Sequence, residues 1–107
     1  MITIEDVERA QQYLIDSAAD IGRAVERATK ASSMLKHVKA IQMKRINEGA
    51  LGLQEREAYA SKEYYEAIVE DAVAAGELAK IRAMRDAAEG QIRIWQSENA
   101  NIRAARV

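Results

Sequence analysis

The chain has no cysteine, proline or phenylalanine, and its 107 residues hold one histidine, one tryptophan and five glycines. Without cysteine there is no disulfide framework, no thiolate nucleophile and no cysteine-built zinc or iron-sulfur site. A single histidine, His37, leaves almost no room for a histidine-built metal centre. No stretch reaches the roughly 18 consecutive apolar residues that a membrane span requires, and no basic-then-apolar leader opens the chain. The expectation is a cytoplasmic, non-enzymatic protein with no catalytic residues, cofactor, metal or membrane partner. Hydrophobic residues at 49% beside charged residues at 31% place it among folded proteins, not disordered or collagen-like chains.

What is present is helix-former chemistry. Alanine is the commonest residue, with 21 copies, and Glu, Arg, Ile and Lys supply most of the remainder. Alanine loses no side-chain entropy in a helix, and straight-chain Glu, Lys and Arg lose little. Val, Ile and Tyr rarely cluster without intervening alanine or charge, so no strand is expected. The fold class is all-α, as a single helical domain over residues 1–107.

Thr3 followed by Asp6 reads as a capping box, and helix one starts there and runs over about 4–48. Its apolar line is Ile4, Val7, Leu14, Ala18, Ile21, Val25, Ala28, Leu35, Val38, Ile41 and Ile46, close to a 3.5-residue repeat that slips near Leu35. Gly49 and Gly52 mark the one strong break, and residues 49–61 form a tip in which Leu53 to Ala60 is a candidate short helix. Ser61 is an N-cap candidate for helix two, about 62–105, with Glu63 facing the positive end of the helix dipole. Its apolar line runs from Tyr64 or Tyr65 through Ile68, Ala72, Ala75, Leu78, Ile81, Ala88, Ile92 and Trp95 to Ile102, interrupted by Arg85 and Asn99. Gly76 and Gly90 lie inside it as points where another backbone would approach closely.

Charge sets the expected arrangement. Residues 1–20 carry net −4, 21–47 net +6, 48–77 net −6 and 78–107 net +3. Folding helix two back antiparallel lays each block beside one of opposite sign, whereas a parallel pair would bring like charges together. Exposed pairs contribute little each, so charge selects orientation more than it supplies stability. The expectation is a long antiparallel hairpin with Ile46 near Tyr64, Leu35 near Ala75, Ile21 near Ala88 and Leu14 near Trp95. Two helices bury little, and the off-line residues Ile15, Met34, Val69, Val73, Met84 and Ile94 widen the apolar stripe. A homodimer forming a four-helix bundle is therefore expected, with a phage or host protein as the alternative partner.

Three candidate sites follow. The run from Lys30 to Arg45 is the only basic cluster suited to nucleic acid, with Lys30, Lys36, Lys39, Lys44 and Arg45 as cations and His37 and Gln42 as neutral donors. No aromatic interleaves these cations and an acidic block lies downstream, which favours a salt-bridged or solvated face. The tract Gln54, Glu55, Arg56, Glu57, Ala58, Tyr59, with Tyr64 and Tyr65, holds three of the five aromatics, and aromatics beside Arg commonly anchor protein interfaces. The alternative is that Tyr59 and Tyr64 plug the end of the hairpin. Trp95 is either a core anchor opposite Leu14 or an interaction hot spot. Glu66, Glu70 and Asp71 share a helix, but Met34 stands three residues before His37, so the Glu-x-x-His pattern of carboxylate metal bundles is missing.

Three stretches carry a resemblance: Lys36 to Met43, the tract Gln54-Glu55-Arg56-Glu57-Ala58-Tyr59-Ala60-Ser61, and Ile92 to Ser97 around Trp95. Through them most of the chain resembles the short helical proteins that tailed bacteriophages and prophages encode in their early regions, often beside recombination and single-strand-binding genes. The resemblance implies a phage accessory protein in the bacterial cytoplasm, acting in DNA recombination or against a host defence, and supplies no catalytic residue.

Overall fold

A computed structural model of the chain describes residues 1–46 and 49–106. They form four helices and, among the described residues, no strand: α1 (Ile4–Asp16), α2 (Ala18–Ile46), α3 (Leu51–Tyr59) and α4 (Lys62–Ala105). Two compact units result, one from Met1–Gly22 with Ala79–Val107 and the other from Arg23–Leu78. None of the described helices is long and apolar enough to cross a membrane.

The helix starts follow from local chemistry. Thr3 accepts from the Asp6 amide at 3.1 Å, and the Asp6 carboxylate accepts from the Thr3 amide at 2.9 Å, so the two satisfy orphan donors reciprocally. The Asp6 carboxyl is held below its usual range, first by that backbone amide, then by the Thr3 hydroxyl, with Arg9 adding attraction. At α4, the Ser61 hydroxyl accepts from the Tyr64 amide at 3.1 Å and donates to the Ala58 carbonyl at 2.7 Å. One side chain thus starts α4 and ties it to the last turn of α3.

The continuous helix expected over 4–48 is instead two helices meeting at Ser17, and its expected end at Glu48 lies outside the described residues. Ser17 has φ −88° and ψ −2°, outside regular helical geometry, although its amide still reaches the Tyr13 carbonyl at 2.9 Å. The cause comes from across the unit. Arg85 Nη1 donates to the Leu14 carbonyl at 2.8 Å and to Ser17 Oγ at 2.6 Å. The Leu14 carbonyl, which in a regular helix accepts from the amide four residues on, here meets a guanidinium at the point where α1 ends.

The expected slip near Leu35 does not occur, since α2 runs through it and a line of buried and half-buried residues alternates spacings of three and four across that point. In the first unit these are Val7, Ala10, Leu14, Ser17 and Ile21; in the second, Ala24, Ala28, Ala31, Leu35, Val38 and Gln42. On α4 the same spacing runs through Ala67, Asp71, Ala74 and Leu78 in the second unit, and Ile81, Arg85, Ala88, Ile92 and Trp95 in the first. The least exposed positions fall one residue before the expected line. Ala24 is buried in place of Val25 and Ala67 half-buried in place of Ile68, so small residues stand where bulk was expected, while Ser17 and Ala74 are buried in place of Ala18 and Ala75. Alanine admits a close helix-to-helix approach, and the bulkier neighbours are left outside.

The pairing register also differs. In the first unit Ile2 donates its amide to Glu98 at 3.3 Å and Arg85 meets Leu14 and Ser17, so numbers fall on α4 as they rise along the N-terminal segment. Leu14 therefore stands by Arg85, not Trp95. In the second unit Arg27 meets Glu70, and Lys39 meets Tyr59 of α3. The displacement has one origin: residues 49–61 are not a simple tip. The turn closes at Gly49, whose φ of +92° favours glycine, and α3 then lies level with the last turns of α2. Gly52, expected in the break, is inside α3. Nothing lies within 4 Å of where a Cβ would sit on Gly76, and at Gly90 only an arginine tip at 3.9 Å does, so neither marks the expected close backbone approach.

Candidate interaction surfaces

Ala58 is the most deeply buried residue in the described chain, and it anchors α3 so that Tyr59 projects toward Lys39. Lys39 Nζ donates to the Tyr59 hydroxyl at 2.7 Å and lies 4.5 Å from the ring centroid. Tyr59 packs edge-on against Tyr64, with centroids 5.1 Å apart and planes at 81°, the arrangement favoured by aromatic quadrupoles. The hydrogen bond to Tyr59 is the first cause raising the Lys39 ammonium above its usual value, and the nearby Glu55 carboxylate adds to it.

This cluster joins residues from two expected sites. Lys39, expected to face phosphate, is committed to Tyr59. Gln42, expected as a donor to nucleic acid, is buried within the second unit, in step with Ala31, Leu35 and Val38, so it does not line a basic face. Lys30, His37 and Lys44, seven residues apart, share one flank of α2, while Lys36 falls on the other side of the seam. The remaining exposed cations therefore do not form one stripe.

Of the Gln54–Tyr65 tract, Gln54 donates to the Gly49 carbonyl at 3.4 Å and closes the turn. Arg56, Glu57 and Tyr65 are exposed, Tyr65 at 66%, and Glu55 is half-buried. Trp95 belongs to the first unit and is half-buried. With Gln96, Asn99, Ile102, Arg103 and Arg106 it lines a hollow of about 480 Å³ at the C-terminal end of α4. Trp95 and the tyrosine cluster belong to different units.

Two features went unrecognised in the sequence. One is the Arg85–Ser17 lock, signalled only by a polar interruption of an apolar line. The other is a groove of about 530 Å³ within the second unit, where Ala31, Met34, Val38 and Ala67 make an apolar floor. Arg27 and Lys30 stand along one wall and Glu63, Glu66 and Glu70 along the other. Arg27 Nε and Nη2 donate to the two Glu70 oxygens at 2.8 and 3.1 Å, which lowers the Glu70 carboxyl and raises the guanidinium. Glu70 is thus held by a cation, and among the described residues no group of three potential ligands is arranged for a metal.

Comparison with protein-family models, with curated proteins and with solved structures finds no match to this chain.

Proposed function

We propose that the protein is a non-enzymatic interaction module, a long antiparallel helical hairpin that self-associates into a bundle. Within each unit the contacts run in opposite order on the two segments, which supports the hairpin. The observation that carries self-association is the state of the larger apolar side chains. The buried hydrophobic residues are Val7 and six alanines, while Ile15, Met34, Val69, Val73, Met84 and Ile94 are all exposed among the described residues. A seam of alanines removes far less apolar area from water than the ~1.5–3 kcal/mol that a fully buried Leu or Ile represents. A second copy supplies the missing burial. The resemblance to phage early-region proteins makes a phage accessory role, in DNA recombination or against a host defence, the setting we favour.

Sedimentation equilibrium over a wide concentration range tests this reading. A reversible dimer or tetramer supports it, and a monomer at every concentration overturns it.

A second reading, an accessory factor that binds DNA, rests on the exposure of Lys30, Lys36, His37, Lys44 and Arg45 on α2. Its affinity should fall steeply with salt as counterions are released. Titration of labelled single- and double-stranded DNA decides it: no binding at micromolar protein in ~50 mM salt removes this reading.

A further inference from the structure

The groove between residues 27–38 of α2 and 63–70 of α4 has walls of opposite charge over an apolar floor. We propose that its occupant is the same groove of a second copy, related by a two-fold axis running along the two helical segments. The inference rests on the self-association reading and specifies the face, the orientation and the pairs.

Symmetry selects the orientation. A two-fold axis along the helices lays the α2 wall of one copy over the α4 wall of the other and keeps each residue at its own height. Arg27 and Glu70 are bonded to each other, so Lys30 stands level with Ala67, within one turn of Glu66. Lys30 of each copy then meets Glu66 of the other, and two such pairs form per dimer. A two-fold axis across the helices would instead face Arg27 and Lys30 with their own copies and stack three glutamates on three, an arrangement that like-charge repulsion disfavours.

The charges needed for this are at hand. Among the described residues Lys30 and Glu63 make no ion pair, and Glu66 has only Lys62 of its own helix at 3.8 Å. The apolar floor, with Met34 exposed in it, gives the partner's Met34 and Ala67 an apolar contact between the paired walls. The same features disfavour nucleic acid as the occupant, since Glu63 and Glu66 along one wall would repel phosphate.

The test uses the full chain with Lys30→Glu, with Glu66→Lys, and with the two variants mixed in equal amounts. Both positions are exposed on helices, and circular dichroism confirms that each variant is folded. Sedimentation and native mass spectrometry read the assembly. Each reversal alone turns two attractions into two repulsions and should weaken homodimers by at least about tenfold. In the mixture the two reversed positions face each other with opposite charges, swapped in sign, while the native Lys30–Glu66 pair remains at the symmetry-related place. A heterodimer should therefore re-form with near-parental affinity. If the parent associates but both reversals leave its affinity unchanged, the second copy sits on another face and this inference fails alone. Loss in both variants with no recovery in the mixture overturns the proposed axis. A parent that stays monomeric removes the self-association reading itself.

Discussion

Arg85 is the residue whose removal discriminates best among accounts of this fold. Its guanidinium donates to the Leu14 carbonyl and to the buried Ser17 hydroxyl, at the point where α1 gives way to α2. Hydrogen bonds from a charged donor contribute ~1.5–3 kcal/mol, and part of the loss is recovered because a serine hydroxyl can turn to a carbonyl of its own preceding turn. Methionine keeps the aliphatic stem, so Arg85→Met isolates the polar head, and a loss of about 2 kcal/mol is expected. In a chain with a typical stability of ~5–15 kcal/mol this is a large fraction. With an m-value of ~1–3 kcal/mol per molar urea, the midpoint should fall by about 1 M. The measurement is urea unfolding followed by circular dichroism at one fixed protein concentration, since association shifts the midpoint. The companion is a double-mutant cycle with Ser17→Ala. The double variant should be nearly as stable as Arg85→Met alone, because once the guanidinium is gone the Ser17 hydroxyl contributes little, giving a coupling of at least ~0.5 kcal/mol. An Arg85→Met variant within ~0.5 kcal/mol of the parent, or strictly additive losses, would refute the claim that this contact shapes the α1–α2 junction.

Gly49→Ala forces a side chain into a left-handed conformation and brings its Cβ to 2.8 Å from Leu53 Cδ2, so thermal melts should show a loss of ~1–2 kcal/mol. Gly76→Ala fills open space inside α4 and should add ~0.5–1 kcal/mol; a loss would mean that something packs on that backbone in the assembled protein. Glu70 and Asp6 have folded pKa values below their ordinary 4.5 and 3.8, so their contribution is present above those values and is lost as pH falls through the lower folded ones. Glu70→Gln should flatten the acid limb of the stability profile, and an unchanged limb would show that the Arg27 bridge is not coupled to folding. Lys39 is raised above 10.5, so its contribution is complete below that pH and disappears as pH climbs through the folded value; Tyr59→Phe should remove that alkaline loss.

Helix starts are readable from sequence because capping is local chemistry: Thr3 with Asp6, and Ser61 ahead of Tyr64, need no knowledge of the rest of the chain. The seam is less readable. Hydropathy draws the eye to Val25 and Ile68, yet close approach of two helices selects Ala24 and Ala67, and Ser17 in place of Ala18, positions that carry little hydropathy signal. Arg85 looks like an interruption because its partners, a carbonyl and a serine some seventy positions away, leave no periodic trace. The register is displaced for a related reason. Gly49 and Gly52 look alike in sequence, but only Gly49 takes positive φ, while Gly52 is taken into α3, which packs with the end of α2 in the second unit. The tyrosine cluster is half legible: its aromatics stand out, but its lysine reads as part of the basic run.

The seam and the exposed apolar residues are two consequences of one choice. Burial of apolar area stabilises by ~25 cal/mol per Å², and an alanine methyl offers little of it. A protein that spends its internal contacts on Ala10, Ala24, Ala31, Ala74 and Ala88 gains closeness, and leaves Ile15, Met34, Val69, Val73, Met84 and Ile94 exposed. Single exposed apolar residues are ordinary on any surface, whereas contiguous ones rimmed by paired charges mark contact faces. If the outward residues are the larger store of burial, stability must depend on assembly. The melting temperature should then rise with protein concentration, and Met34→Ala should reduce that dependence more than it lowers the melting temperature of the dilute protein. A melting temperature unchanged across a wide concentration range would mean that the alanine seam alone holds the fold.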